Sequence, residues 1–357
     1  MVDSRVTVPG ALGLLAALST PAAAHVDYVT DRPGSDVDPI AFLLRVVGEP
    51  ANAALLAVTA VLVLGFVGAY LRWRPRIPDL AVLVGTLRSY EDLIPWMLRL
   101  SLGLPLVGAG YAGYLFAPTV DVSLRFVQVG LGFLLLFGLA TRAVALAGLG
   151  VYLWAVLAHP GTVLAMEYVP GFLALALLGG GRPSADHMLQ RIASTDGTLY
   201  GRVDPVHRAA VRLDGLVGPY VDLVPVVLRV GLGIAFVYLG LSQKLGAPGP
   251  ALAVVEKYGL TGIVPVDPGM WVVGAGLAEM AVGVALILGL LTRATAAVAF
   301  LLFTLTLFGL PDDPVLAHVT LFGMASTIFT LGAGPLSIDA RIARDRADDR
   351  PTATPAD

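Results

Sequence analysis

The chain has 357 residues, 57% of them hydrophobic, and only 14% are charged, against about 25% in soluble domains. Its net charge is −3 and it has no cysteine, which excludes dithiol relays, cysteine-ligated clusters and thiol catalysis. Several apolar runs of ~20 residues place it in a membrane, as helices, because the runs lack the period-2 alternation of barrel strands.

In chain order, Arg5 precedes the apolar stretch VPGALGLLAALS, and TPAAAH offers a cleavage site after Ala24, so residues 1–24 read as a signal peptide. Residues 25–50 read as an extracytoplasmic segment: an acidic stretch, then a short amphipathic helix over 39–49 lying on the outer surface. A first span, 51–71, falls in a segment (51–76) closed by RWRPR. Residues 77–192 form a first four-helix unit with spans at 95–116, 122–140, 143–159 and 162–179. It is preceded by a surface helix, whose Leu80, Leu83, Val84 and Leu87 form one stripe. A cytoplasmic linker (193–221) leads to a second unit (222–340) with spans at 224–242, 269–291, 294–310 and 314–333, then a cytoplasmic tail (341–357). The fold class is all-α: a polytopic membrane helix bundle of about nine transmembrane helices.

Basic residues fix the expected orientation in the cell membrane. With the mature N-terminus outside, Arg72, Arg74, Arg76, Arg142, Arg293, the linker arginines and Arg341, Arg344, Arg346 and Arg350 all fall in the cytoplasm. The outer loops keep mainly Arg32, Arg45, Lys244 and Lys257.

The two units echo each other. YEDLIPWMLRLSLG (90–103) matches YVDLVPVVLRVGLG (220–233), QVGLGFLLLFGLATR (128–142) matches EMAVGVALILGLLTR (279–293), and GRPSAD (181–186) echoes GPLSID (334–339). Four helices per unit is an even number, so the units point the same way and form a parallel repeat. Pro95 and Pro225 suit first helical turns. Arg99 and Arg229 follow one turn later, where they can snorkel back to the interface, with Asp92 and Asp222 as candidate partners. Arg142 and Arg293 mark tight inner turns. These six groups read as structural.

Chemistry concentrates in the second unit. Glu279 falls about ten residues into its span, ~15 Å deep. A carboxylate there costs about 2.5–3.5 kcal/mol on the insertion scale, so it should face the bundle and find a partner. Lys244 and His318, both expected near the outer side, are the candidates, and the three read as the catalytic group. Ser242 and Gln243 add hydrogen-bonding capacity for a substrate. In the first unit Tyr114 stands at the place of Lys244 and Gln128 at that of Glu279, which leaves a binding pocket without the acid. Arg125 is a candidate partner for Glu167. One histidine and one carboxylate are too few for a metal site, no covalently bound cofactor is expected, and no basic patch suggests a nucleic acid.

The series Arg229, Gly233, Gly240, Lys244, Glu279, Gly283, Gly289, Thr292, Arg293, His318, Gly334, Ser337 and Asp339 resembles the DoxX/DoxD-like family of four-helix membrane proteins, with the first unit as a diverged copy. The resemblance implies a membrane subunit of a quinone-linked redox system (sulfur or respiratory), with quinone as the candidate carrier. Beyond the lipid membrane, it leaves room for a partner redox subunit and for a homo-oligomer. In that role Glu279 would exchange a proton with the quinone, and Lys244 and His318 would tune and orient. Other readings are a non-enzymatic scaffold or small-molecule carrier, and a proton-coupled transporter.

Overall fold

A computed structural model describes residues 37–73, 77–203 and 206–348. The expected signal peptide (1–24), most of the acidic stretch after it, Arg74 and Arg76 lie outside the described residues. The described residues are mostly helical and contain no strand. Two helices open the chain: α1 (Pro39–Gly48) and α2 (Pro50–Trp73). Asp38 caps α1 by accepting from the Ala41 N–H at 2.7 Å, and Phe42 and Val46 bury its apolar face against the second half of the chain. The long apolar α2 has only Asn52 buried and leaves most of its other residues exposed, as a helix solvated by lipid would.

After α3 (Pro78–Arg88), the first half comprises α4 (Ile94–Ala112), α5 (Arg125–Phe137), α6 (Thr141–Ala158) and α7 (Tyr168–Leu178). Short helices α8 (Ala185–Ala193), α9 (Leu199–Val203) and α10 (Val206–Val217) connect the halves. The second half comprises α11 (Val224–Leu239), a π-helical turn over Gly240–Leu245, α12 (Pro248–Lys257), α13 (Pro268–Leu288), α14 (Thr292–Gly309) and α15 (Val315–Leu331). Then comes α16 (Ile338–Asp348).

Nine helices stand where nine spans are expected, and six are long and apolar enough to cross a membrane. The other three, α5, α7 and α15, have 13, 11 and 17 residues, about 20, 16 and 25 Å, and fall short of a ~30 Å hydrocarbon core. The expected spans 122–140 and 162–179 are therefore too long. The extension of the second falls in a 3-10 turn (Pro160–Ala165) whose Thr162, Leu164 and Ala165 are buried in protein, where non-helical backbone is tolerated at membrane depth.

The core follows from leucines at helical spacing. Leu98, Leu102 and Leu106 on α4, with Leu228 and Leu232 on α11, are fully buried and meet Phe172, Leu175 and Ile328 from α7 and α15. α4 and α5 in the first half, and α11 and α13 in the second, cross at glycines. A Cβ on Gly103 would lie 2.9 Å from the Gly132 carbonyl oxygen, and one on Gly233 would lie 2.6 Å from that of Gly283. Only small residues permit this approach. The halves join reciprocally: α4 packs on α15 and α11 packs on α7. Ser101 lies against Gly323 and Pro170 against Gly231 at these crossings.

Candidate functional site

At the end where α4 and α11 begin, arginines and aspartates serve the bare ends of neighbouring helices, whose last carbonyls and first N–H groups have no partner of their own. Arg229 donates to the carbonyls of Ala333 at 3.0 Å, Leu286 at 3.0 Å, Ile287 and Leu336 at 2.7 Å. Arg293 donates to Phe329, Thr330 and Leu331 at the close of α15, and Arg142 to Ala176 and Leu177 in α7. Arg142 also pairs with Asp214 on α10. Asp339 accepts from the N–H groups of Leu291 and Thr292 and from the Thr292 hydroxyl, and Asp186 accepts from the N–H groups of Ala140 and Thr141. The aspartate caps and the Arg142 and Arg293 contacts to helix ends recur at matched positions, while the Thr292 hydroxyl bond and the Arg142–Asp214 pair have no counterpart among the described residues, and Gly138 and Gly289, both left-handed at φ +67° and +64°, end α5 and α13 alike.

Two expectations are corrected here. Arg99 and Arg229 do not reach back to the interface: both are 1% exposed. Nor do they bond Asp92 and Asp222, which are exposed. Arg99 donates to the Pro183 carbonyl at 2.5 Å. A helix C-terminus is a dense cluster of acceptors with a partial negative charge, and it lies closer to the buried guanidinium than a carboxylate one turn back in sequence.

At the opposite, lysine end of the second half, α11 loosens into the π turn, which carries Ser242, Gln243 and Lys244. Such turns interrupt α-helices chiefly at functional sites. Gly240 lets the turn approach α13 closely, since a Cβ there would sit 2.7 Å from the Gly276 carbonyl oxygen and 3.3 Å from Glu279 Cβ. This contact delivers Lys244 Nζ to Glu279 Oε1 at 2.7 Å, with the two side chains 26% and 23% exposed. Gln243 is buried beside them, and its amide nitrogen lies 3.4 Å from the Ser242 hydroxyl.

His318, from the first turn of α15, does not bond Glu279. Its Nε2 lies 3.5 Å from Asp313 Oδ2, its Nδ1 lies 3.3 Å from the Pro314 carbonyl, and its ring meets the edge of Phe303. Burial pushes the Asp313 carboxyl up from its ordinary range, while His318 and Lys244 pull it back down. The contacts form two pairs, Lys244–Glu279 and Asp313–His318, and Asp313 is a residue that sequence reasoning missed. The available signal was Asp313 in a Pro-flanked acidic pair only five residues before His318.

Next to Asp313, Asp312 Oδ2 accepts from Lys257 Nζ at 2.7 Å and from the Tyr258 hydroxyl at 2.8 Å. This exposed clasp ties the end of α12 to the loop that carries the cluster. Those hydrogen bonds hold the Asp312 carboxyl below its usual value and the Lys257 ammonium above its own.

The lysine end of the first half has matching positions and different chemistry. Tyr114 is half-buried. Gln128 is 0% exposed, and neither of its amide atoms has a protein partner. Glu167 is buried near the rings of Tyr152 and Tyr168. It does not pair with Arg125, which is exposed and lies over the Tyr111 ring at 4.8 Å. A groove of about 330 Å³ runs between α14 and α15, lined by Ala296, Ala297, Phe300, Ala325, Ser326 and neighbours. It begins ~10 Å along α15 from His318, seven residues away.

Fold and site together define a polytopic α-helical membrane protein with an ionisable cluster set among its apolar helices. More particularly, residues 224–312, about a quarter of the chain, match the DoxX family model, and this stretch is similar to DoxX membrane proteins. The matched region holds Lys244 and Glu279 and stops one residue short of Asp313. No curated protein and no solved structure matches the chain.

Proposed function

We propose that the chain is the membrane component of a quinone-linked redox system, and that the Lys244–Glu279–Asp313–His318 cluster holds the head group of the lipid-soluble carrier. The observation that carries this reading is the 2.7 Å ion pair between Lys244 and Glu279, with the Asp313–His318 pair at 3.5 Å within its field. Ionisable groups among membrane helices are costly and mark pathways for ions, protons or ligands. Reduction or oxidation of a quinone moves protons with the electrons, so its head group needs donors and acceptors beside it. In this arrangement Glu279 exchanges a proton with one ring oxygen, Lys244 offers N–H donors to that oxygen, and the Asp313-held imidazole serves the other side. Electrons come from a partner redox subunit.

The reading extends to orientation and descent. The arginine-rich end lies in the cytoplasm, as the positive-inside rule prefers. The lysine end, with α12 and the clasp, faces outward. The matched arginine, aspartate and glycine contacts support descent of the halves from one repeated unit.

The test is Glu279→Gln in the full chain within its native membrane. The expected outcome is quinone turnover reduced at least tenfold, with expression and thermal stability near wild type. Extraction of the purified wild-type protein should also yield bound quinone, and the variant should yield less. Unchanged turnover and no co-purifying quinone contradict the proposal, and loss of expression without a redox phenotype favours the scaffold reading.

A further inference from the structure

The hydrogen-bonding capacity of the cluster is unevenly used. Glu279 Oε1 is served by Lys244 and Asp313 Oδ2 faces His318, yet the second oxygen of each carboxylate, Glu279 Oε2 and Asp313 Oδ1, is buried with no donor from the protein. Asp313 as a whole is only 6% exposed. An ionised carboxylate only accepts hydrogen bonds, and a buried acceptor left unserved destabilises the site that holds it. Lys244 bonds Glu279 and acts on the charge of Asp313, the two residues that carry the idle acceptors.

A guest that carries only carbonyl oxygens satisfies spare Lys244 donors and leaves both carboxylate oxygens unserved. A hydroxyl accepts from the lysine and also donates to a carboxylate. Resting on the carrier-binding role proposed above, we infer that the site is matched to the dihydroxy, reduced form of the carrier and binds it more tightly than the dicarbonyl form. Preferential binding of the reduced form raises the midpoint potential of the bound couple. A tenfold preference corresponds to about 30 mV for two electrons.

The experiment uses the full chain in detergent under anaerobic conditions. Equilibrium binding is measured for three probes with one ring and one decyl tail: a benzoquinone, its hydroquinone, and the hydroquinone dimethyl ether, which has lost both donors. The expected result is a hydroquinone bound about tenfold tighter than the quinone, the worth of roughly one well-made hydrogen bond, with the ether no better than the quinone. Asp313→Asn and Glu279→Gln each bring the hydroquinone-to-quinone ratio towards one. Equal affinity for the two ring forms, or a tighter quinone, overturns the inference and leaves the carrier role standing. Failure of every ring form to bind overturns both.

Discussion

The two halves of the molecule agree at one end and part at the other. At the arginine end, Asp186 and Asp339 serve the first N–H groups of α6 and α14, while Arg142 and Arg293 serve the last carbonyls of α7 and α15. At the lysine end, an ion pair in the second half faces a neutral tyrosine and a glutamine in the first. The demand at the arginine end comes from helix geometry, which is the same in both halves, so the same side chains answer it. Nothing in helix geometry asks for Lys244, Glu279, Asp313 or His318, and only one half has them. The difference separates what the fold requires from what a ligand would require.

The comparison can be sharpened first at the arginines. Arg229 serves four carbonyls, whereas the Nε and Nη1 groups of Arg99 are buried without partners. Arg229→Met should therefore cost about 3–5 kcal/mol, as when a buried charged contact is broken. Arg99→Met should cost about 1–2 kcal/mol, since only one bond is lost. Denaturant titration in mixed micelles reads both, and equal losses would erase the distinction.

Next, Gln128→Glu moves the acid of the second half into the first. With Tyr114 in place of the lysine, the new carboxylate should cost about 2.5–3.5 kcal/mol. Addition of Tyr114→Lys should recover part of that loss, and no recovery would show that the two lysine ends are not built alike.

Smaller effects follow at the helix ends. Gly138→Ala and Gly289→Ala should each cost at least about 1–2 kcal/mol through the left-handed backbone, and more through overlap with Arg99 and with Ser337. Similar shifts in melting temperature for the two are expected.

The smallest effect belongs to the clasp. The Asp312 carboxyl is held below its unfolded value, so its contribution is present above that unfolded value and is lost as pH falls through the lower folded one. The Lys257 contribution is present below its unfolded value and is lost as pH rises through the raised folded one. Stability should be flat near neutrality and fall at both extremes. Asp312→Asn should flatten the acid limb with little change at pH 7, as expected for exposed pairs.

Much of this was legible in the sequence. Hydropathy placed nine helices because lipid demands long apolar runs. It overran α4 and α7 because Leu115 and Phe116, or Leu164 and Ala165, are as apolar in buried irregular backbone as in a helix. The Lys244–Glu279 pair was legible because an acid at membrane depth needs a partner. Asp313 was not, since an acidic pair between prolines reads as a surface turn, and only the fold tucks one of the two carboxyls inward. The echo of GRPSAD in GPLSID was visible while its task was not: its aspartates cap helices 45 to 48 residues upstream.

The central claim, that the second half holds a carrier head group among Lys244, Glu279, Asp313 and His318, is tested most directly by labelling. Native membranes are illuminated with an azido-substituted quinone, and the adducts are mapped by peptide mass spectrometry. The account predicts adducts on peptides that contain the π turn, α13 near Glu279, or the loop at Asp313, suppressed by excess unlabelled quinone. Adducts confined to the first half around Tyr114 and Gln128, or labelling that excess quinone leaves unchanged, would contradict it.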